Sequence, residues 1–383
     1  MRVRWGTDRL VRLIPAALAL ALLSGCASKK VTTDVSPNLH KVERHLDTEP
    51  EDSGFSGVVL IGRGNEVVFQ KAYGYAEADL QVLMQTAYRF RIGSLTKPIT
   101  ASAVLVAVDR GLLTLDQDIC QFLPACPRSW AGVTVRHLLT HSSGIADHFG
   151  DLEAVPVEET AGELRRVLES LPANESLLAP PGTEYAYSNF NYVLLGAVLE
   201  QVAGAPWESI LDAWVFEPLG LATMAYDDVY AIKGGRVRGY ERDSLLGLRH
   251  IVYDDHAAYA AGGLLSTAED LFRWSRGFLS GRLVSKELVE ESLRPYLGDY
   301  GYGWQKRTFF DRTIYNHTGG IDGFSSHLAY YPEAELTIVV LSNIENDSAI
   351  LRACDVAALL FDWMDAGGAG VELTPRQRCG MDR

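Results

Sequence analysis

The run Phe90-Arg91-Ile92-Gly93-Ser94-Leu95-Thr96-Lys97 places a serine and a lysine three residues apart, where a helical pattern begins. That pattern extends over residues 96–110, and Gly111 is its expected end. Residues three apart on a helix share a face, so a nucleophile and a base would lie within reach of each other. The unpaired N–H groups of a helix start also favour a developing oxyanion. Alone, the spacing is a weak signal, because an N-capping serine followed by a solvated lysine shows the same pattern.

Strand patterns lie at both ends of the chain, and helical patterns lie between them. Residues 57–61 and 66–70 are β-rich and flank Gly62-Arg63-Gly64-Asn65, which is typical of a hairpin. Further strand patterns lie at 302–308, 312–316, 326–331 and 336–342. Helical patterns lie at 192–202, 205–215, 268–279 and 347–364, and most of 134–292 is expected to be helical. This distribution predicts a fold of the α/β class and α+β type, with a central antiparallel sheet built from both termini, flanking helices and a mostly helical insertion.

Two further motifs follow the serine and lysine in a fixed order. Tyr187-Ser188-Asn189 comes after Pro180-Pro181-Gly182, and His317-Thr318-Gly319-Gly320 comes after a predicted strand. The set resembles the signature of the serine β-lactamase and penicillin-binding superfamily, which is S-x-x-K, then S-D-N or a Tyr-x-Asn counterpart, then K-T-G. The resemblance therefore implies a β-lactamase-like fold.

The resemblance covers roughly residues 51–365 and extends beyond the three motifs. It also runs through Val135-Arg136-His137-Leu138-Leu139-Thr140-His141-Ser142-Ser143-Gly144 and through Ala261-Gly262-Gly263-Leu264-Leu265-Ser266-Thr267. The most similar branch contains class C β-lactamases, D-alanyl-D-alanine peptidases and related esterases.

The resemblance implies roles for the residues of the first two motifs. Ser94 would be the acylated nucleophile, and Lys97 would activate it through a hydrogen bond. Tyr187 would move the proton, either as a phenolate or through Lys97, and Asn189 would hydrogen-bond Lys97 and the substrate. Which of Lys97 and Tyr187 is the general base stays open at this point.

The third motif departs from the common pattern of the superfamily. His317 stands where β-lactamases usually have lysine, and it would line the opposite wall of the cleft. Because histidine is charged only at lower pH, it would attract a substrate carboxylate less than lysine does. The backbone N–H groups of Gly320 and Ser94 would form the oxyanion hole.

These residues predict a serine hydrolase that works through an acyl-enzyme on Ser94, with a small ester, a D-amino-acid peptide or a β-lactam-like compound as substrate. The alternatives are a β-lactamase or D-alanyl-D-alanine carboxypeptidase proper, or a catalytically silent penicillin-binding-type module that senses peptidoglycan. No cofactor or metal is expected, since H-E-x-x-H is absent and local backbone groups are expected to satisfy His137 and His141. The α/β-hydrolase motif G-x-S-x-G is also absent.

The first residues predict export and lipid anchoring. Arginines precede an apolar run over 13–23, which is shorter than the about 20 residues that a membrane span requires. Leu23-Ser24-Gly25-Cys26 resembles the lipobox of bacterial lipoproteins, which implies cleavage before Cys26 and its acylation. We expect a protein of the cell envelope, anchored to the periplasmic face of the outer membrane through Cys26. The expected segments are a signal peptide (1–25), a tether (26–52), the hydrolase domain (53–365) and a C-terminal tail (366–383).

Composition limits the partners and the cysteine chemistry. The 383 residues carry a formal charge of −14, so nucleic acid is not an expected partner, and a small or peptidoglycan-derived substrate is. No pattern indicates an oligomeric state. Apart from Cys26, the chain has an even number of cysteines, which in an oxidising compartment allows two disulfides. Cys120 and Cys126 flank a short segment and are expected to pair, which leaves Cys354 with Cys379.

Overall fold

The computed structural model describes residues 38–48, 55–152, 160–228, 234–243, 247–251, 258–309, 311–345 and 348–361. Its helices are α1 (Leu39–Thr48), α2 (Thr96–Asp109), α3 (Val135–Leu139), α4 (Thr160–Ser170), α5 (Asn189–Ala203), α6 (Trp207–Leu211), α7 (Glu217–Leu219), α8 (Tyr259–Gly262), α9 (Ala268–Leu279), α10 (Lys286–Leu293) and α11 (Ser348–Leu360). Its strands are β1 (Gly57–Arg63), β2 (Glu66–Tyr73), β3 (Tyr75–Glu77), β4 (Val82–Leu83), β5 (Phe90–Arg91), β6 (Ala225–Tyr226), β7 (Tyr240–Asp243), β8 (Gly247–His250), β9 (Leu264–Ser266), β10 (Gln305–Phe309), β11 (Arg312–Ile321), β12 (Phe324–Tyr331), β13 (Leu336–Ser342) and β14 (Ile344–Glu345).

The main sheet joins the two ends of the described chain, as predicted. Its six strands lie in the order β10-β11-β12-β13-β1-β2, and every neighbouring pair is antiparallel. The predicted hairpin is β1–β2, with Gly64 at φ +56 in its turn, a conformation that glycine adopts without strain. β1 pairs with β13, so the N-terminal hairpin completes a sheet whose other strands come from residues after 304.

Helices cover both faces of this sheet, and alternate side chains of β1 pack into two different hydrophobic cores. Val58 and Leu60 belong to the larger hydrophobic core, which includes α2, α5 and α9. Val59 and Ile61 belong to a second core, which includes α1 and α11. Side chains alternate between the faces of a strand, so a strand that is buried on both faces reads as a continuous apolar run.

Several differences from the predicted elements have local causes. β11 continues past the predicted end at residue 316 to Ile321, so the His-Thr-Gly-Gly motif lies within a strand. A Cβ at Gly319 would lie 2.1 Å from the Ile92 carbonyl oxygen, so glycine is required there by packing and does not mark the end of the strand. The helical insertion also contains short strands, among them β9, which pairs with β5 just before Ser94.

The folded part begins earlier than the expected boundary at residue 53. Residues 39–48, expected to belong to the tether, form α1, whose Val42 and Leu46 are buried. Those two residues are four apart and share one helix face, which packs into the second core. The Asn38 side chain donates to the Leu360 carbonyl oxygen and links α1 to the end of α11.

Cys120 and Cys126 form a disulfide, as expected. Cys379 lies outside the described residues, and its pairing with Cys354 stays a prediction. The signal peptide, Cys26 and the tail from 366 also lie outside them. Among the helices of the described ranges, none has the length and apolar character that a membrane crossing requires.

Candidate active site

Ser94 lies in a 3₁₀ turn, Gly93–Leu95, that connects β5 to α2. Gly93 has φ +50, and a Cβ added there would lie 2.9 Å from the Gly320 carbonyl oxygen. Both the conformation and the close approach therefore require glycine. Ser94 itself is half-buried, so a molecule from solvent can reach it.

Lys97 lies one helical turn after Ser94, and its side chain is completely buried, with 0% exposed. Its Nζ lies 2.9 Å from Ser94 Oγ. Two further contacts at Nζ are to Asn189 Oδ1 at 2.7 Å and to the Ala261 carbonyl oxygen at 2.9 Å. The amine is thus surrounded by three oxygens from three separate parts of the chain.

Burial changes the charge state of Lys97. Desolvation disfavours the ammonium form and lowers the pKa of Lys97 to about 7, against a smaller opposing effect of the Asp147 carboxylate. A large fraction of Lys97 is therefore neutral near pH 7, which is the form that can accept a proton.

Tyr187 completes the immediate surroundings of the serine. Its hydroxyl donates to Ser94 Oγ at 3.1 Å, and its ring centroid lies 5.0 Å from Lys97 Nζ. The residue is 41% exposed, but desolvation around the hydroxyl raises the pKa of Tyr187 well above its ordinary value of 10. Tyr187 is therefore a neutral phenol at neutral pH.

His317 lies across the cleft from Tyr187, with 6.4 Å between the two ring centroids. It is only 3% exposed, and both ring nitrogens have partners: Nδ1 lies 2.7 Å from the Thr318 carbonyl oxygen, and Nε2 lies 2.9 Å from the Tyr300 hydroxyl. Because a carbonyl oxygen only accepts, Nδ1 carries the hydrogen and Nε2 accepts from Tyr300. Burial lowers the pKa of His317 to about 3, so this imidazole is neutral across the physiological range.

The backbone of Gly320 faces the turn that carries Ser94. β11 and β12 are joined by the two-residue turn Asp322-Gly323, so Ile321 and Phe324 form the hydrogen-bonded pair that flanks it. Gly320, one residue earlier, is in the alternate type of pair, and its N–H therefore points away from β12. Its nitrogen would lie 3.1 Å from a Cβ at Gly93, the residue before Ser94.

The structure thus brings together the six residues that the sequence singled out, from the 3₁₀ turn before α2, α2, the segment before α5, the first residue of α5, and β11. The sequence profile of the family described as Beta-lactamase matches residues 42–361. The chain belongs to the β-lactamase family.

Individual relatives of this β-lactamase-family protein agree with that assignment. Penicillin-binding protein 4* of Bacillus subtilis is 29% identical over 344 residues, which cover 82% of this chain and 75% of the relative. The octameric penicillin-binding protein homologue from Pyrococcus abyssi superposes with a TM-score of 0.75 at 26% identity, over 89% of this chain and 79% of that one. A D-amino acid amidase from Ochrobactrum anthropi superposes with a TM-score of 0.71 at 20% identity, over 87% of this chain and 99% of that one. The amidase shows likeness of fold alone.

The β-lactamase-family site also contains a loop, from His141 to Asp147, whose role in the site could not be predicted from the sequence. His141 is fully buried, and its Nδ1 accepts from the Ser188 backbone N–H at 3.2 Å. The His141 ring centroid lies 4.3 Å from that of Tyr187. Satisfaction of the two histidines by local backbone groups was expected, and His137 does accept from the nearby Thr134 N–H. For His141 the expectation is wrong, because its buried Nε2 has no hydrogen-bond partner among the described residues. The backbone partner of its Nδ1 lies 47 residues away, which no local pattern predicts.

Asp147 ends this loop and was not singled out from the sequence. Its carboxylate accepts from Ser188 Oγ at 3.2 Å and from the backbone N–H groups of Asn189 at 3.3 Å and Phe190 at 3.0 Å. An aspartate before a short helix predicts a cap on that helix, and Asp147 does accept from the Phe149 N–H. The sequence carried no sign that the same carboxylate also caps α5.

Proposed function

We propose that this protein is a serine hydrolase that forms an acyl-enzyme on Ser94. The observation that carries the proposal is the set of oxygens around Lys97 Nζ. A neutral amine has two N–H groups and one lone pair. Asn189 Oδ1 and the Ala261 carbonyl oxygen can only accept, so they use both N–H groups. The lone pair is then directed at Ser94 Oγ, so the amine is placed to accept the serine proton as a general base.

Lys97, and not Tyr187, is the general base in this proposal. The pKa of Lys97 is lowered to about 7, which is close to the optimum for a base that works near neutral pH. The pKa of Tyr187 is raised above 10, which disfavours a resident phenolate. Tyr187 instead serves as a hydrogen-bond and proton donor beside Ser94 Oγ.

Acylation follows from these positions. Lys97 takes the Ser94 hydroxyl proton while Oγ attacks the substrate carbonyl carbon, and the carbonyl electron pair moves to oxygen. The backbone N–H groups of Ser94 and Gly320 donate to that oxyanion. When the electron pair returns, the bond to the leaving group breaks. The leaving atom receives a proton from Tyr187, and the proton held by Lys97 restores the phenol.

Hydrolysis of the acyl-enzyme repeats the same transfers with water. Lys97 accepts a proton from water, whose oxygen attacks the acyl carbon. The bond to Ser94 Oγ then breaks, the acid leaves, and the proton on Lys97 returns to Oγ. The cycle restores Ser94, Lys97 and Tyr187 to their starting protonation states.

The proposed substrates are short-chain esters, whose recognition does not depend on a carboxylate. His317 is neutral, buried and committed to Tyr300 and Thr318, so it supplies no cation to the cleft. An activated ester needs the nucleophile, the base and the oxyanion donors, and each of these has a candidate group here.

A second candidate is the binding of penicillin or cleavage of a D-amino-acid peptide. It is favoured by the names of the relatives, since penicillin-binding protein 4* matches this chain over most of both lengths. Both candidates use the same acyl-serine chemistry and differ in the molecule that reaches Ser94.

The experiment is a substrate screen with the purified protein. Hydrolysis of p-nitrophenyl butyrate, nitrocefin and D-amino-acid amides is compared for wild type, Ser94→Ala and Lys97→Ala. We expect ester turnover to fall at least about a thousandfold in both variants, because residues of one catalytic unit fail together. Ester turnover that persists in Ser94→Ala would overturn the proposal, and D-amino-acid amides as the preferred substrates would favour the second candidate.

A further inference from the structure

The short segment that delivers Tyr187 and Asn189 to the site is held almost entirely by the loop from His141 to Asp147. The Ala186 N–H donates to the His141 carbonyl oxygen, and the Ser188 N–H donates to the His141 ring. The Asp147 carboxylate then accepts from the Ser188 hydroxyl and from the first two backbone N–H groups of α5, those of Asn189 and Phe190. Asp147 is exposed, so its position is explained by these hydrogen bonds and not by packing in the core.

We propose that Asp147 is a positioning residue, which fixes the turn from Tyr187 to Asn189 and directs a negative charge toward Lys97. The proposal rests on the proposed function of Ser94 and Lys97. The Asp147 carboxylate has two distinct effects, one geometric and one electrostatic. As a hydrogen-bond acceptor it satisfies otherwise unpaired N–H groups at the start of α5, and as an anion it stabilises the ammonium form of Lys97.

The geometric effect concerns Asn189, the first residue of α5. Its Oδ1 lies 2.7 Å from Lys97 Nζ, so any rotation of this helix start moves an oxygen that orients the base. Tyr187, two residues earlier, is carried by the same turn. A small displacement of catalytic groups has a large effect on rate, because the reaction requires them in a near-attack arrangement.

The electrostatic effect depends on which groups face Lys97 from the surrounding elements. Tyr187 and Tyr192 lie within 6 Å as aromatic rings, and the raised pKa values of both keep their hydroxyls neutral. His141 and His317 also interact with Lys97, and burial lowers the pKa of each histidine, so both are neutral. None of these four groups carries a charge that would offset the effect of the Asp147 carboxylate on the pKa of Lys97.

The two effects are separable by substitution. Asp147→Asn removes the charge and keeps one oxygen, which can still accept from Ser188 Oγ and the Phe190 N–H but not also from the Asn189 N–H at 3.3 Å. Asp147→Ala removes the charge and every acceptor. The matched control is Asp118→Asn. Asp118 also caps a helical turn, and the Cys120 and Gly132 N–H groups that donate to it lie outside the site. Each variant is compared with wild type in the pH profile of kcat and kcat/KM for p-nitrophenyl butyrate.

For Asp147→Asn we expect the acidic limb of kcat/KM to move to lower pH, so that activity at pH 6 relative to the plateau rises about threefold, with a smaller loss of plateau kcat than in Asp147→Ala. For Asp147→Ala we expect the same displacement and a plateau kcat lowered about tenfold or more. Asp118→Asn should keep the wild-type profile.

Three results would overturn the inference. These are wild-type profiles in both Asp147 variants, an equal displacement in Asp118→Asn, or a displacement toward higher pH. If Asp147→Ala does not fold, the profile of Asp147→Asn decides alone. The wild type is measured first: absence of Ser94-dependent turnover would overturn the proposed function itself, whereas normal turnover with unresponsive variants would overturn only the role of Asp147.

Discussion

Lys97 Nζ lies 2.7 Å from Asn189 Oδ1, a contact between the first turn of α2 and the first residue of α5. An amide oxygen accepts a hydrogen bond from an amine without imposing a negative charge on it. Asn189 can therefore orient Lys97 and leave its lowered pKa near 7. A carboxylate at the same place would orient the lysine equally well but would hold it as an ammonium ion.

Asn189→Asp tests this distinction. In wild type we expect kcat/KM to rise with pH through about 7, because the neutral form of Lys97 is the active base. The introduced carboxylate favours the ammonium form, so the rise should shift to higher pH and kcat/KM at pH 7 should fall about tenfold or more. Asn65→Asp, in the exposed turn between β1 and β2, is the matched control. A profile of Asn189→Asp that coincides with that of the control would contradict the role given to Asn189.

Lys97 also predicts how stability depends on pH. Its pKa is about 7 in the folded protein and 10.5 ordinarily, so the unfolded chain binds more protons between these values. Stability supplied through this group therefore rises with pH in that window. Relative to Lys97→Met, the free energy of unfolding of wild type should increase by about 1.4 kcal/mol per pH unit between roughly pH 8 and 10.

Urea unfolding at several pH values measures that difference. Lys286→Met, at an exposed position of α10, is the control and should show no such slope relative to wild type. A flat difference for Lys97→Met would mean that Lys97 is an ammonium ion in the folded protein, which excludes it as the resting base.

The fold could be predicted from the sequence wherever the local pattern and the tertiary structure agree. The helix from Ala268 to Leu279 and the strand from Leu336 to Ser342 match their predicted bounds, because capping by Thr267 and a fully buried apolar run are both local signals. The length of β11 was underestimated, since Gly319 and Gly320 suggest a strand end, whereas close packing of Gly319 against the Ile92 carbonyl oxygen requires glycine within the strand.

The candidate site, too, could be predicted from the sequence only in part. Motif order was enough to single out Ser94, Lys97, Tyr187 and Asn189, which the structure brings within hydrogen-bond distance. Asp147 was missed because it acts on a helix start some forty residues further along the chain, and no spacing rule connects the two. The choice of base was also unreadable, since it depends on desolvation of Lys97 by residues distant in sequence.

His317→Lys tests the substrate preference. A lysine in place of this neutral imidazole adds a cation to the wall of the cleft, and a β-lactam carries a carboxylate that such a cation attracts. We expect the ratio of kcat/KM for nitrocefin to kcat/KM for p-nitrophenyl butyrate to rise about tenfold, which corresponds to about 1.4 kcal/mol of transition-state stabilisation.

His317→Gln is the matched control for that ratio, because glutamine keeps a donor and an acceptor for Thr318 and Tyr300 without adding charge. Its ratio should equal that of wild type. Rapid nitrocefin turnover by wild type, or an unchanged ratio in His317→Lys, would remove His317 from the explanation of specificity.

Lipid anchoring through Cys26 is a prediction of the sequence alone. Cys26→Ser should move the protein from the membrane fraction to the soluble fraction, because acylation of a cysteine is the proposed attachment. Mass spectrometry of the mature N-terminus provides the second readout, with an acylated Cys26 expected as the first residue. An unmodified N-terminus at another position would contradict the prediction of a lipoprotein.

The central claim is that Ser94 is a nucleophile activated by neutral Lys97, and covalent labelling measures this directly. The purified protein is treated with a fluorophosphonate over a range of pH, and intact-mass spectrometry with peptide mapping follows the adduct. We predict a single adduct on Ser94, with a labelling rate that rises through about pH 7 and falls at least about a hundredfold in Lys97→Ala. An adduct that persists in Ser94→Ala, or no adduct in a folded wild-type protein, would contradict the account.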